Sequence, residues 1–251
     1  MPICKLCLEE KTLIKKSHII PDFMYKSLYD EKHFLNKLIP KLLKKGKKMP
    51  RIPTGEYESG ILCQDCESQK LGKFETYGSI ALYGGYAPKN QSPIVNNFVN
   101  QDGIKFSKTS NIDYAKFKLF LLSILWRSHV SSREFFKEID LGEDAETIRR
   151  MIDDENPGDE LDYPMWFLTY AADKSAPSDV ISQPTIQTFE GCKIAIFIIH
   201  GMIYCFLLSK DSIPDIFRES TIKKTNEMIM FHLPEGRSFE FLLRYHGILK
   251  T

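Results

Sequence analysis

Long apolar runs are missing from this chain of 251 residues. Residues 117–126 and 194–208 are the longest, and both are too short or too interrupted for a bilayer, which takes about 20 consecutive apolar residues. The chain also starts without an apolar h-region: Met1-Pro2-Ile3-Cys4 leads directly into a cysteine pair, so no secretory signal is expected. No glycine-rich phosphate loop, GxSxG elbow or HExxH pair occurs, which removes the sequence grounds for P-loop, serine-hydrolase and zincin chemistry. Internal repeats and low-complexity segments are missing too. Acidic residues are absent from Lys32 to Gly55, where bases stand at 32, 37, 41, 44, 45, 47, 48 and 51. From Glu143 to Asp162 the balance reverses, nine acids facing only Arg149 and Arg150. The net charge of +1 therefore hides a segregated distribution. A basic half beside an acidic half points to nucleic acid at the basic end, or to a solvated lysine loop.

Hydrophobic residues at 43% and charged residues at 27% are ordinary for a globular protein, and the length suits one large or two small domains. Four of the six cysteines fall in two CxxC pairs, Cys4-Lys-Leu-Cys7 and Cys63-Gln-Asp-Cys66. Each pair sets two thiolates on one turn, where both can reach a tetrahedral Zn²⁺ at about 2.3 Å. Four sulfurs close the coordination shell, which makes such a site structural. Redox use needs one CxxC beside a βαβ pattern, and neither pair sits in one. Thiols in metal spacing rather than a disulfide framework fit a reducing, cytoplasmic setting. Cys192 and Cys205 lie in apolar strands and read as small buried residues.

Along the chain, residues 12–20 form an extended segment ended by Pro21, and residues 22–28 a helical turn or two. The lysine-rich stretch carries Pro40, Gly46, Pro50 and Pro53, which mark an exposed connection. Residues 56–62 read as a second strand, and a helix is expected from Cys66 to Gly84-Gly85. Knuckle, strand, insertion, strand, knuckle, helix is the layout of a treble clef, where metal holds a hairpin against a helix. Residues 88–110 are loop-like with a short strand at 94–99, and Asp113 caps the clearest helix. Its stripe of Phe117, Phe120, Leu121, Ile124, Leu125 and Val130 faces a core. A shorter helix covers 143–152. Strands follow at 163–171, 185–189, 193–199, 202–208 and 227–231, with His200-Gly201 as a hairpin turn, and a short helix closes the chain at 242–249. Both arms of that hairpin are apolar on both faces, which places it mid-sheet, beneath the Asp113 helix. The expected fold is α+β: residues 1–87 a zinc-bound ββα unit with a basic insertion, residues 88–251 an α+β domain with helices at 113–153 and a sheet at 163–231.

Ser17-His18-Ile19-Ile20-Pro21, between the two knuckles, and Gly60-Ile-Leu-Cys63-Gln-Asp-Cys66 ahead of a helix resemble the HNH (ββα-metal) endonucleases. The resemblance covers residues 1–80. It implies that His18 is a general base activating water and that a divalent cation, Mg²⁺ or Mn²⁺, sits at the scissile phosphate. The pattern departs from the family where a metal-binding residue precedes the base, here Ser17. It departs again at the middle Asn, near Glu58 and Ser59, and at the final His or Asn, near Lys70 or Leu71. Glu67 and Glu75 on the helix are the replacement candidates, about 80° apart on an ideal helix. Their other reading is a favourable charge in the first helical turn for Glu67 and a solvated side chain for Glu75. His18 otherwise orients a cysteine or bonds a carbonyl. Lys41, Lys44, Lys45, Lys47, Lys48 and Arg51 suit sequence-independent attraction of nucleic acid, DNA first. His33 reads as exposed or touching phosphate. Arg127, in Trp126-Arg127-Ser128-His129, reads as a surface ion pair or a phosphate contact. The expected function is an HNH-like metal-dependent endonuclease, in bacterial or phage defence by resemblance. The alternative is an inactive zinc-stabilised protein that binds nucleic acid or another protein.

Overall fold

The computed structural model describes residues 1–84, 88, 92–209 and 212–245. Its elements run β1 (Ser17–His18), β2 (Leu35–Leu38), α1 (Pro40–Lys44), β3 (Arg51–Ile52) and β4 (Tyr57–Glu58). A π-wound turn, Asp65–Leu71, then opens α2 (Gly72–Tyr83). After these come β5 (Ile94–Val99), β6 (Lys105–Ser110), α3 (Tyr114–Val130), α4 (Asp144–Asp153), β7 (Met165–Thr169) and β8 (Val180–Phe189). The chain continues through β9 (Cys192–Ile199), β10 (Met202–Leu207), α5 (Asp215–Ser220), β11 (Met228–His232) and α6 (Ser238–Tyr245). The fold is mixed α and β around one large sheet. No helix among the described residues is long and apolar enough to cross a membrane.

That sheet has nine strands in the order β3-β2-β8-β9-β10-β7-β11-β6-β5, antiparallel except for β2 with β8 and β7 with β11. The expected hairpin lies at its middle. His200 (φ 50°) and Gly201 (φ 71°) form the turn, and β9 and β10 pair from Ile199 with Met202 to Ile194 with Leu207. Two successive left-handed residues match the strand twist, as in a type I′ turn. A Cβ on Gly201 would also stand 2.8 Å from the Ala171 Cα, so this position needs glycine twice over. Alternation along β10 sends Tyr204 and Phe206 to one apolar cluster and Ile203, Cys205 and Leu207 to the other. Phe217 of α5 and Leu242 of α6 cover the second face.

The first face is covered by α3, which is buried from Phe117 to Ser128 around its whole circumference. A helix buried on every side lies inside the molecule, between two partners. On one side Phe117 stacks with Phe167 of β7, ring centroids 6.3 Å apart. On the other, Phe120 stacks with Phe23 at 5.7 Å and meets α2 at Gly78, where a Cβ would lie 2.7 Å from its ring. Asp113 caps α3 as expected, its carboxylate accepting from the Lys116 N–H at 3.0 Å.

The N-terminal third is built into this arrangement. Strands β2 and β3 are members of the nine-stranded sheet, and one buried cluster runs from Cys4 and Leu6 through α3 to Met228. The lysine stretch is not the irregular connection its prolines and glycine suggest. Pro40 sits at the first position of α1, where its missing N–H costs nothing, and Leu35 is buried as β2 joins β8. Residues 105–110 are likewise a strand rather than loop, the turn falling at Asn100–Gly103. Of the extended segments around the knuckles only β1 and β4 are regular, pairing Ser17 with Glu58 and His18 with Tyr57. Helix α5 has no counterpart in the sequence reading, and residues 246–249 of the expected last helix lie outside the described residues.

Candidate functional site

The two CxxC turns converge. The Sγ atoms of Cys4, Cys7, Cys63 and Cys66 all lie within 4.8 Å of one another, and three of the four cysteines are buried. Backbone bonds draw the knuckles together: Lys5 N–H donates to the Ile61 carbonyl at 2.9 Å and Ile14 N–H to the Leu62 carbonyl at 2.9 Å. The Cys63 N–H points at the Cys4 sulfur, 3.3 Å away. The Cys66 thiol and then backbone N–H groups hold Cys4 down to about 4, against the opposing effect of burial. Cys66, as the donor to Cys4, is pushed up. One thiolate shared among thiols is a site that gains from a divalent cation, which would let all four sulfurs ionise. Tetrahedral Zn–S bonds of about 2.3 Å require sulfurs about 3.8 Å apart, so the donor set fits zinc in number, softness and spacing. Among the described residues no other group of three or more His, Cys, Asp or Glu ligand atoms is close enough to share an ion.

Beside this cluster, β1 carries His18 into a network that sequence alone does not reveal. Its centre is Arg127, from the last turn of α3, which is wholly buried rather than at the surface. Its Nη1 donates to the His18 carbonyl at 2.7 Å and to Glu75 Oε1 at 2.7 Å. Its Nε donates to the Ser123 carbonyl at 3.2 Å and its Nη2 to the Ser123 hydroxyl at 3.3 Å. Glu67 Oε2 accepts from the buried Ser17 hydroxyl at 2.7 Å, and its carboxylate also takes the His18 backbone N–H. Burial pushes Glu67 up, with Arg127, Ser17 and the His18 amide opposing. The helical angle between Glu67 and Glu75 is not the α-helical one, because Gly72 N–H bonds the Glu67 carbonyl five residues back. Widened turns of this kind are frequent at functional sites.

The His18 ring is half-buried, edge-on to Tyr57 with centroids 6.4 Å apart, and Lys16 Nζ lies 4.7 Å from the same tyrosine ring. Desolvation lowers its pKa below 6.5; Lys16 and Arg127 add to this, while Asp22 and Glu75 oppose it. The imidazole is therefore neutral at pH 7 and able to accept a proton. Thus Glu67 meets Ser17 and the His18 amide, and Glu75 reaches the His18 carbonyl through Arg127; among the described residues these carboxylates and the His18 ring form no three-ligand metal set.

The basic residues divide. Arg51 pairs with Asp30 and lies over the Phe34 ring, and Lys37 pairs with Glu56, which is 2% exposed and also accepts from Arg133 Nε at 3.1 Å. Lys41, Lys44 and Lys45 make no ion pair among the described residues and line a cavity of about 650 Å³ with Phe135, Gln183 and Thr185. Lys47 and Lys48 follow, exposed. His33 stacks on Tyr29 with centroids 4.1 Å apart.

Three further carboxyl and backbone ties fasten the region of the cysteine cluster to its neighbours. Glu58 accepts from the Ser131 and Ser132 hydroxyls at 2.6 Å each, just beyond α3. Lys5 Nζ donates to the Val130 carbonyl at 2.8 Å, and Lys70 Nζ to the Asp153 carbonyl of α4 at 2.7 Å. No family model matches the chain, and no curated protein or solved structure is significantly similar to it.

Proposed function

We propose that the chain is an HNH-like nuclease in which a zinc-stapled treble clef presents His18 to a phosphodiester bond. The observation that supports this reading is the burial of Arg127 between the His18 carbonyl and Glu75, with Glu67 on the adjoining Ser17 hydroxyl and His18 amide. Buried charges cost stability unless closely matched, and clusters of them concentrate at functional sites. Here three segments distant in sequence spend such a cluster on the placement of one two-residue strand and its histidine. Zinc, when bound, would supply a cross-link between the knuckles and offer no open coordination position.

In this reading the neutral His18 imidazole takes a proton from water. The hydroxide oxygen bonds to phosphorus as the bond to the leaving sugar oxygen breaks, and solvent returns a proton to that oxygen. Lys41, Lys44, Lys45, Lys47 and Lys48 attract the phosphate backbone without reading bases, with DNA the first expected partner. Mg²⁺ or Mn²⁺ is what the family resemblance implies. Glu67 and Glu75 are engaged by Ser17 and Arg127, so they do not fit a ready three-ligand set for that ion.

The same engagement favours a second reading, in which the fold binds nucleic acid or a protein partner without cleaving. The deciding experiment incubates purified protein with plasmid, single-stranded DNA and RNA in Mg²⁺ or Mn²⁺, beside His18→Ala. Cleavage by the wild type that disappears in the variant is the expected result. Equal products from both, or none across the metals, overturns the nuclease and leaves retention of nucleic acid in a binding assay to test the second reading.

A further inference from the structure

The nine-stranded sheet ends differently at its two edges. At one end β3 has two residues, Arg51 and Ile52, between Pro50 and Pro53, and Arg51 is held by Asp30. A short, charged, proline-flanked edge is a poor template for another strand. At the other end β5 runs from Ile94 to Val99 with every residue exposed, and its one neighbour among the described residues is β6. Val95 and Val99 are 56% and 63% exposed. Pro93 stands just before this strand, but no charged residue lies between Ser92 and Gln101 and no proline falls within Ile94–Val99, so the six residues themselves carry neither of those protections.

The phase of its backbone groups follows from the hairpin. Asn100 N–H donates to the Ile104 carbonyl at 3.0 Å, and the register continues through Val99 with Lys105 and Phe98 with Phe106. Antiparallel ladders alternate, so Ile94, Asn96 and Phe98 turn their N–H and C=O groups to β6, while Val95, Asn97 and Val99 turn theirs outward. Consistent with this, Asn97 and Ser107 oppose each other as a pair without backbone bonds and join by side chains, Ser107 Oγ donating to Asn97 Oδ1 at 2.7 Å.

We infer that this edge pairs with the same edge of a second copy of the chain, antiparallel, about a two-fold axis at Asn97. In that register Asn97 faces the partner's Asn97, Val95 faces the partner's Val99, and Val99 faces the partner's Val95. The three outward residues of each strand then exchange about six N–H···O=C bonds, and the two sheets become one. Val-x-Asn-x-Val reads the same in both directions, which is what an isologous contact requires. The neighbouring allowed registers set Asn97 against a valine and lose that match. With no charge on the strand, no repulsion opposes the pairing. Edge pairing buries little area, so the dimer is concentration-dependent. This assembly does not depend on the proposed catalytic activity.

Sedimentation of the full chain across micromolar concentrations tests it. The expected result is a mass that rises to twice the monomer, and a monomer for Val95→Lys/Val99→Lys, which opposes like charges at both positions. Val95→Lys/Val99→Glu sets each new lysine opposite a new glutamate and restores the dimer. Asn97→Pro removes an outward N–H that β6 does not use and also gives a monomer, so it serves if the double-lysine variant fails to fold by circular dichroism. A wild type that stays monomeric, leaving the edge to another protein's strand or to none, overturns the inference. So does a dimer that survives both the lysine and proline variants, or a lysine–glutamate variant that stays monomeric.

Discussion

Around the central hairpin, β9 and β10 pair over six positions and send alternate side chains into two apolar clusters. Around His18, β1 and β4 pair over two positions, and the contacts that hold them are a thiol cluster, a buried guanidinium and carboxylates from elsewhere in the chain. One region is sustained by area removed from water; the other adds a few strong, directional interactions to its buried Ile19 and Ile20. The difference has a consequence for failure. A core of many small contacts weakens gradually, whereas a site that rests on a four-cysteine cluster able to hold a metal and on one buried cation is expected to lose its geometry when either is removed.

The largest expected effect separates the two regions outright. Cys63→Ser, or chelation of the wild type, removes a cross-link of the kind worth about 10–16 kcal/mol in zinc-finger peptides. Loss of protection in the two CxxC turns and β1, read by limited proteolysis, is expected, together with loss of about one zinc per chain by elemental analysis. A fully protected, metal-free protein would break the comparison. Next in size is Arg127→Met, which keeps the volume but leaves Glu75 and the His18 carbonyl without their donor. A cost of about 3–5 kcal/mol is expected in denaturant unfolding, and a neutral result would show that the guanidinium does not hold the site. Within the sheet, Gly201→Ala probes the apolar region by strain alone. With φ at 71° and Ala171 close by, about 1–3 kcal/mol is expected, with zinc content unchanged.

The smallest effect is a pH dependence at His18. Burial keeps its folded pKa below the ordinary 6.5, so the unfolded chain binds the proton first. The stability owed to the neutral ring is present above that value and is lost as pH falls through the folded pKa. Lys16 and Arg127 reinforce this sign, and Asp22 and Glu75 reduce it. Melting curves from neutral pH downward should show the wild type losing stability faster than His18→Gln. Parallel curves would place the ring in solvent.

The apolar region was the legible one. The apolar arms at 194–199 and 202–207, the His200-Gly201 turn, the Asp113 cap and the stripe of α3 are local patterns, and local patterns survive in a bare sequence. So did the cysteine pairs, since their spacing alone carries the chemistry. The site was legible only in its parts. His18, Glu67 and Glu75 could be named, but Arg127 meets the His18 carbonyl across 109 residues of chain, and no periodicity records that contact. The one available signal was an arginine in the last turn of a strongly apolar helix, where a guanidinium taken inside must find buried partners. The lysine stretch misled for the converse reason. Its breakers were read as loop, while Leu35 and Pro40 answered to tertiary pairing and helix entry.

The most direct test follows both regions in one titration. Zinc is withdrawn by a chelator from labelled protein while the His18 ring resonance and the Gly201 amide are recorded by NMR. If metal and buried charge hold the His18 face while burial holds the sheet, the His18 signal leaves its native position as zinc is lost and the Gly201 amide keeps its own. Retention of both signals in metal-free protein, or their loss together in a single step, would contradict that account.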